Sequence, residues 1–343
     1  MTMHKRITTV MMSLLLIFAF LFLICCSSDT GKNEEITISY FPGWPCTFEV
    51  GWAKGWFEKE MGVNVKFRQF DTGAQMTAVM ASGDVQIAYS LGLIPFASAV
   101  TQGVPLKAVG IADSYSEVEN IVVRNGTGIK APRNLIGKTV GVPFGTTSHY
   151  KLMGILEKSG IRQTQLKLID MAPQDIVAAF KRKDIHAGIA WEPFFSEMLK
   201  DGHLIVSAEE ISQWGYGTFD VVAVTDQFAR GNPRLVATFL KVADDSTIYF
   251  RKQPSDSYRL IGQKAGLKPE KAKAILKGMK FYTIEEQLQP AWMGTTGRKG
   301  DIIKKIKKVA DFLVKQKSLD KALSHYDQFV DPSFLEAIRQ QKR

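Results

Sequence analysis

Cysteine and histidine are scarce in this chain of 343 residues, which restricts both its covalent structure and its chemistry. Only three cysteines are present, and two of them, Cys25 and Cys26, are adjacent at the end of an apolar N-terminal run. If that run is a leader, Cys46 is the one thiol left, so no internal disulfide forms and core burial alone must stabilise the fold. The five histidines show no metal-ligand spacing with the cysteines. We therefore expect no metal ion and no cofactor.

The sequence also lacks the motifs of the common enzyme classes. It has no glycine-rich phosphate loop, no G-x-S-x-G nucleophile elbow and no H-E-x-x-H zinc motif. Cys46 and His149 leave one alternative open, since a thiol and an imidazole that meet across a cleft can act as a nucleophilic pair. The absence of the other motifs favours a protein without catalytic activity.

Positive charge is in excess, with a formal net charge of +10. A basic surface is one feature of nucleic-acid-binding proteins. Here the lysines are scattered, and the densest group lies beside an apolar stripe of helical spacing. The stripe consists of Ile302, Ile306, Val309 and Leu313, and the lysines beside it are Lys304, Lys305, Lys307 and Lys308. We interpret these lysines as the solvated face of a helix and expect no nucleic-acid partner.

The N-terminus has the layout of an export signal. Lys5 and Arg6 form a basic start, and residues 10–24 are apolar except for Ser13. A charged start followed by an apolar run is typical of a secretory leader and not of a folded element. We predict a signal peptide over residues 1–25.

The end of this run resembles the lipobox of bacterial lipoproteins. Leu23 stands three residues before Cys26, which we predict is lipidated and becomes the mature N-terminus, with residues 26–34 as a tether. The alternative is an uncleaved anchor, because the run approaches the roughly 17-residue lower limit for spanning a bilayer. Both interpretations place the remaining chain outside the cytoplasmic membrane and attached to it, in the periplasm or its equivalent.

Strand-like and helix-like segments alternate as far as about residue 225, and the chain beyond is almost entirely helical. The alternation restarts near residue 139. Strands separated by helices indicate parallel sheets covered on both faces. We predict an α/β protein of two lobes, each a mostly parallel sheet flanked by helices, with crossings near residues 122–124 and 222–225. Lobe 1 is predicted to comprise residues 35–123 and 225–343, and lobe 2 residues 124–224.

Three consecutive hydroxyl residues, Thr146, Thr147 and Ser148, follow a predicted strand and Gly145 and open a predicted helix. A helix N-terminus presents unpaired N–H groups and the positive end of the dipole, which favour an anion. Hydroxyl groups add donors without adding charge. This pattern predicts a site for a sulfonate, carboxylate or phosphate, although ordinary N-capping by one hydroxyl is an alternative.

Five further residues near strand ends are candidate ligand contacts: Trp44, Ser90, Glu119, Trp191 and Asp220. A Trp in such a loop either walls a small-ligand site or packs into the core. Asp220 is an acid inside an apolar run, and a buried carboxylate needs a cationic partner or several hydrogen bonds. That partner is either a Lys or Arg of the other lobe or an ammonium group on the ligand.

Several segments together resemble one known family. They are Phe70-Asp71-Thr72-Gly73-Ala74, Ala81-Ser82-Gly83-Asp84-Val85-Gln86-Ile87, Asn134-Leu135-Ile136-Gly137-Lys138, Val142-Pro143-Phe144 with Thr147 and His149-Tyr150, and Gln213-Trp214-Gly215 with Asp220-Val221. From about residue 36 to residue 334 the chain resembles the taurine-binding solute receptors of ABC importers. The wider group includes nitrate-, aliphatic-sulfonate- and thiamine-precursor-binding proteins.

The resemblance implies a two-lobed periplasmic binding protein fold of type II. Such a protein, a monomer without catalytic activity, closes on a small sulfonate such as taurine and delivers it to a membrane permease and its ATPase. The resemblance also implies that Thr146, Thr147 and the loop after Tyr89 hold the anionic head, and that Asp220 and Glu119 face the ammonium group.

One stretch departs from the family pattern. The family's Asn-Leu-Gly-Ser-Ser-Pro appears here as Ser90-Leu91-Gly92-Leu93-Ile94-Pro95, so two hydroxyl donors are replaced by apolar residues. This change permits a ligand with more apolar surface. One alternative is a receptor for another small nitrogen-containing solute, such as a thiamine-precursor pyrimidine or nitrate. Another is a desulfinase-like enzyme on the same fold, in which Cys46 attacks a sulfinate, although no His lies between residues 5 and 148 to assist it.

Overall fold

The computed structural model describes residues 35–341. The predicted signal peptide, the lipidation at Cys26 and the tether of residues 26–34 lie outside the described residues. Within residues 35–341, no helix combines the length and apolar character needed to cross a membrane.

The described residues form two sheets with helices packed around them. The strands are β1 (Glu35–Tyr40), β2 (Asn64–Gln69), β3 (Ile87–Gly92), β4 (Leu106–Tyr115), β5 (Glu119–Arg124), β6 (Thr139–Val142), β7 (Lys167–Asp170), β8 (Ala187–Trp191), β9 (Gly202–Leu204), β10 (Thr218–Thr225) and β11 (Met279–Lys280). The helices are α1 (Phe48–Ala53), α2 (Trp56–Met61), α3 (Gly73–Ala81), α4 (Leu93–Thr101), α5 (Thr147–Lys158), α6 (Pro173–Arg182), α7 (Phe194–Leu199), α8 (Ala208–Ile211), α9 (Asp226–Gly231), α10 (Pro233–Lys252), α11 (Pro254–Ala265), α12 (Pro269–Leu276), α13 (Ile284–Gln287), α14 (Ile302–Lys315) and α15 (Ser333–Gln341).

The first sheet has the strand order β11-β4-β10-β3-β1-β2. β1 and β3 run parallel, and β10 lies between β3 and β4 and runs antiparallel to both. β1, β3 and β4 therefore point the same way, and their carboxyl ends meet at one edge of the sheet. Ligands of open α/β sheets bind at such an edge.

The second sheet has the strand order β7-β6-β8-β5-β9. β6 is parallel to both β7 and β8, whereas β5 is antiparallel to β8 and β9. β5 thus runs against both its neighbours in the second sheet, as β10 does in the first, where the short edge strand β11 is also antiparallel to β4. β5 and β10 each adjoin a crossing between the lobes.

Both crossings come earlier in the chain than the sequence predicts. β4 of the first sheet ends at Tyr115 and β5 of the second begins at Glu119, so the first crossing occupies residues 116–118. The second lies between β9 and β10, and all of β10 belongs to the first sheet. The predicted crossings at residues 122–124 and 222–225 are interior to β5 and β10. An apolar run predicts a buried strand but carries no information on which sheet the strand joins.

The helices after β10 return to the first sheet. α10 and α11 pack on α1, α14 packs on α4, and α15 packs on β4. The predicted apolar stripe of α14 is buried. Lys305 is not part of the solvated face that the sequence predicts. Its amine lies 4.9 Å from the ring centroid of Phe219 and 4.4 Å from that of Trp292.

Phe48, Trp52 and Trp56 recur every four residues, a spacing that predicts one face of a single helix. In the structure they lie on two helices. Gly55, at φ 65°, separates α1, which carries Phe48 and Trp52, from α2, which begins at Trp56. A residue with positive φ leaves the right-handed helical conformation, so the helix ends there, and glycine adopts this conformation without strain. Trp52 stacks on Phe67 of β2 at 4.1 Å between ring centroids, so this cluster belongs to the core.

Candidate functional site

A pocket lies between the two sheets at the edge where their parallel strands end. Its cavity volume is about 40 Å³, well below the roughly 300–1,000 Å³ typical of small-molecule sites. Because β5 and β10 run against their neighbours, their first residues reach this edge and bring Glu119 and Asp220 to it. The lining residues are Phe41, Trp44, Gly73, Gly92, Pro95, Tyr115, Glu119, Thr146, Thr147, Trp191 and Asp220.

The pocket contains most of the residues that the sequence singled out. Six of them line it: Trp44, Glu119, Thr146, Thr147, Trp191 and Asp220. Ser90 and Ser148 lie behind its wall and are almost completely buried. Phe41 and Tyr115 were not predicted. Phe41 directly follows β1 and Tyr115 ends β4, and a position at a strand end is the feature that identified Trp191.

The hydroxyl groups at the start of α5 are already engaged within the protein. Thr146 is the N-cap, and its hydroxyl donates to the carbonyl of Pro143 at 2.6 Å. The hydroxyls of Thr147 and Ser148 both donate to Oε1 of Glu119 at 2.6 Å. The expectation that these hydroxyls are free donors for an anion is therefore wrong. Among the first-turn backbone N–H groups, that of His149 donates to Oγ1 of Thr146 at 3.3 Å, so those of Thr147 and Ser148 are the donors that this helix start offers.

Glu119 forms a buried ion pair with a lysine that sequence reasoning missed. The amine of Lys151 lies 2.8 Å from Oε2 of Glu119, and the two side chains are 3% and 0% exposed. Both carboxylate oxygens of Glu119 are therefore occupied, in contrast to the expectation that they face a ligand. Lys151 stands four residues after Thr147 on the same face of α5, and this spacing is the feature that could have identified it.

Asp220 is held differently. The hydroxyl of Tyr115 donates to its Oδ1 at 3.1 Å, and no ion pair to Asp220 is present within the described part of the chain. Burial raises the pKa of Asp220 well above its usual range, and repulsion from Asp113 and Glu119 adds to this, while Tyr115 and Lys151 lower the pKa. The partner of Asp220 is thus a tyrosine of its own lobe. A positively charged ligand group next to this carboxyl would favour its ionised form.

Beneath the pocket, Ser90 is part of a buried polar cluster. Its hydroxyl donates to Oδ2 of Asp113 at 2.7 Å and lies 3.2 Å from Sγ of Cys46. Burial raises the pKa of Asp113 to about 6, while hydrogen bonds from Ser90 and Cys46 lower it. Trp44 is almost completely buried and also lines the pocket, so both interpretations of this residue apply.

Cys46 and His149 do not form the thiol–imidazole pair that the sequence left open. Cys46 is 1% exposed, and burial raises its thiol pKa well above the usual value, with further increases from Asp113 and Glu49. The ring of His149 stacks on Phe144 at 4.6 Å between centroids. Burial lowers the pKa of His149 to about 4. Within residues 35–341 no hydrogen bond joins the thiol to the imidazole.

Aromatic rings form much of the remaining wall and connect the lobes. Trp44 and Tyr115 of the first lobe meet edge to face at 5.0 Å between centroids. Phe41 of the first lobe lies 6.3 Å from Trp191 of the second. The amine of Lys151 is 4.6 Å from the ring centroid of Tyr115, within the range of a cation–π interaction.

Two α/β lobes joined by two crossings, with a pocket between their strand ends, define a two-lobed periplasmic binding protein fold. Residues 47–257 match the family model described as NMT1/THI5 like. The chain belongs to this family. The predicted fold class is thereby confirmed.

Comparison with known proteins agrees with this assignment. The taurine-binding periplasmic protein of Escherichia coli K12 is 33% identical over 295 residues, which cover 84% of this chain and 89% of that protein. The periplasmic aliphatic sulphonate-binding protein SsuA of Escherichia coli has a TM-score of 0.69 at 21% identity, over 90% of this chain and 96% of its own. The desulfurization enzyme DszB has the same fold, with a TM-score of 0.65 at 15% identity, over 90% of this chain and 100% of its own.

Proposed function

We propose that the protein is the extracytoplasmic solute-binding subunit of an ABC importer and captures a small sulfonate, such as taurine or a related zwitterion, in the pocket between its lobes. The relationship to a taurine-binding periplasmic protein supports this class of ligand. The observation that carries the proposal is that the start of α5 and Asp220 line the same pocket. The helix start favours an anionic head, and the carboxyl group favours an ammonium group.

In this proposal the lobes close on the ligand as two bodies that hinge at the crossings. A ligand that binds the closed form more tightly shifts the population towards it. Three contacts beside the pocket span the lobes. They are the ring contact of Phe41 with Trp191, the ion pair of Lys271 with Glu192 at 3.4 Å, and the contact of the Lys151 amine with the ring of Tyr115.

The protein is proposed to act as a monomer attached to the membrane by a lipid on Cys26, after removal of residues 1–25. A tether keeps a receptor near the permease and the ATPase to which it delivers. The apolar run and the cysteine pair of the sequence support this part of the proposal.

We further propose that the protein is not an enzyme. Two observations favour a desulfinase: the fold is similar to that of DszB, and Cys46 follows β1. Nucleophilic attack needs a thiolate. Burial, Asp113 and Glu49 all raise the thiol pKa of Cys46, which supports binding without turnover.

The test is isothermal titration calorimetry and thermal unfolding of the full chain in mild detergent with taurine, ethanesulfonate, nitrate and an aminopyrimidine. A ligand at 100 times its Kd adds about 2.7 kcal/mol of stability. We expect a sulfonate to give this shift. Stabilisation by nitrate or the pyrimidine, with none by either sulfonate, would contradict the proposal.

Variants sharpen the assignment of the pocket. Asp220→Asn should weaken taurine binding by roughly tenfold or more, because hydrogen bonds to charged groups contribute about 1.5–3 kcal/mol. The matched control is Asp311→Asn on the exposed face of α14, which should bind normally. Equal affinity of both variants would exclude Asp220 as the ammonium partner.

A further inference from the structure

The pocket offers a ligand cation few free carboxylate oxygens. Both oxygens of Glu119 are occupied by Lys151 and by the hydroxyls at the start of α5. Asp220 accepts from Tyr115 through Oδ1. Among the side-chain hydrogen bonds and ion pairs of residues 35–341, none engages Oδ2 of Asp220. This atom is therefore the one carboxylate oxygen of the pocket that remains for a ligand.

The rest of the wall suits a cation that carries carbon. Four aromatic residues line the pocket: Phe41, Trp44, Tyr115 and Trp191. Three come from the first lobe and one from the second, so closure brings rings to a ligand from both sides. Gly92 and Pro95 also line the pocket and add apolar surface.

The number of N–H donors on the ligand then decides the fit. A primary ammonium group has three donors, and a buried donor without an acceptor is unfavourable. An aminosulfonate nitrogen that carries two alkyl groups in addition to its spacer carbon has a single N–H when protonated, which equals the single free carboxylate oxygen. Its alkyl groups also carry part of the positive charge, and aromatic faces attract them.

We propose, on the basis of the proposed function, that the preferred ligand is an aminosulfonate whose nitrogen carries two small alkyl groups. Its sulfonate accepts from the first-turn N–H groups of α5. Its N–H donates to Oδ2 of Asp220, and its methyl groups contact the rings of Trp44 and Trp191. The pocket thus distinguishes aminosulfonates by the number of alkyl groups on the nitrogen, since all of them carry the same sulfonate.

The experiment is calorimetric titration of the full chain in mild detergent with taurine and its N-methyl, N,N-dimethyl and N,N,N-trimethyl derivatives. All four carry the same sulfonate and the same two-carbon spacer. We expect the Kd to fall at least tenfold from taurine to the dimethyl compound, with the trimethyl compound weaker than the dimethyl one because it has no N–H. A Kd for taurine equal to or lower than that for the dimethyl compound would overturn the inference.

Variants separate the aromatic contribution from general damage to the pocket. Trp191→Leu should reduce the preference for the dimethyl compound over taurine at least threefold, and Trp191→Phe should restore most of it. Trp56→Leu, outside the pocket, is the matched control and should keep the full preference. An unchanged preference in Trp191→Leu would contradict the role of this ring.

Failure of the inference is distinguishable from failure of the proposed function. If taurine or ethanesulfonate binds and methylation weakens binding, the receptor function stands and the inference is wrong. If none of the sulfonates binds while nitrate or the aminopyrimidine does, both are wrong.

Discussion

Lys151 and Glu119 form an ion pair of 2.8 Å in which neither side chain is more than 3% exposed. Glu119 also accepts from the hydroxyls of Thr147 and Ser148. One carboxylate thus joins the start of α5 to the start of β5, so the ion pair fixes the part of the second lobe that faces the ligand. Because the oxygens of Glu119 are engaged by Lys151, Thr147 and Ser148, Asp220 is the acid of the pocket that is available to a ligand.

Replacement of Lys151 tests this role. Lys151→Met leaves the carboxylate of Glu119 buried and unpaired, and breaking such a pair typically costs about 3–5 kcal/mol. We expect a loss of that size in the free energy of unfolding, measured by urea denaturation at pH 7. Adding Glu119→Gln to the same chain should recover part of the loss. A loss below about 1 kcal/mol in the single variant would contradict a desolvated pair.

Asp113 makes stability depend on pH. Its pKa is raised to about 6 from 3.8, chiefly by burial, so the folded protein keeps a proton that the unfolded chain releases. This contribution is complete below about pH 4 and is lost as the pH rises through 6. We expect Asp113→Asn to reduce the fall in unfolding free energy between pH 4 and pH 7 by about 3 kcal/mol, measured by urea denaturation. If the unfolding free energy of both proteins depended on pH in the same way, Asp113 would be excluded as a source of that dependence.

Cys46 should react slowly with thiol reagents. The side chain is 1% exposed, and its raised pKa keeps it protonated at neutral pH, whereas the thiolate is the reactive form. We expect little labelling of the native protein at pH 7 and one labelled thiol per chain in urea, counted by mass spectrometry of protein purified from membranes. Three labelled thiols would show that the leader and its cysteines are retained and unmodified. Rapid labelling of the native protein would contradict the burial of Cys46.

The ion pair between Lys271 and Glu192 should affect ligand release. It joins the lobes at 3.4 Å and is partly exposed, so its contribution should stay below about 1 kcal/mol. We expect Lys271→Met to raise the ligand dissociation rate by at most about fivefold, measured by stopped-flow fluorescence. Lys54→Met, which removes an ion pair with Asp256 inside the first lobe, is the control and should leave the rate unchanged.

Much of the pocket was predictable because residues at the ends of parallel strands meet at one edge of a sheet. Trp191 and Thr146 follow this rule directly. Asp220 was found for another reason, since an acid inside an apolar run needs a partner. The crossings were placed several residues too late because β5 and β10 both have an apolar, buried interior, and hydrophobicity does not report which sheet a strand joins.

Periodicity and turn residues act locally along the chain, so they were sufficient to predict the α/β class, the restart of the pattern after the first unit and a group of residues near the pocket. Which polar groups remain free for a ligand depends on the tertiary structure. The hydroxyls of Thr147 and Ser148 were predicted as donors for an anion, but Glu119 of another strand accepts both. A buried polar group finds its hydrogen-bond partner among residues that are close in the fold but distant in the sequence. Whether the group is available to a ligand therefore depends on what the fold brings beside it.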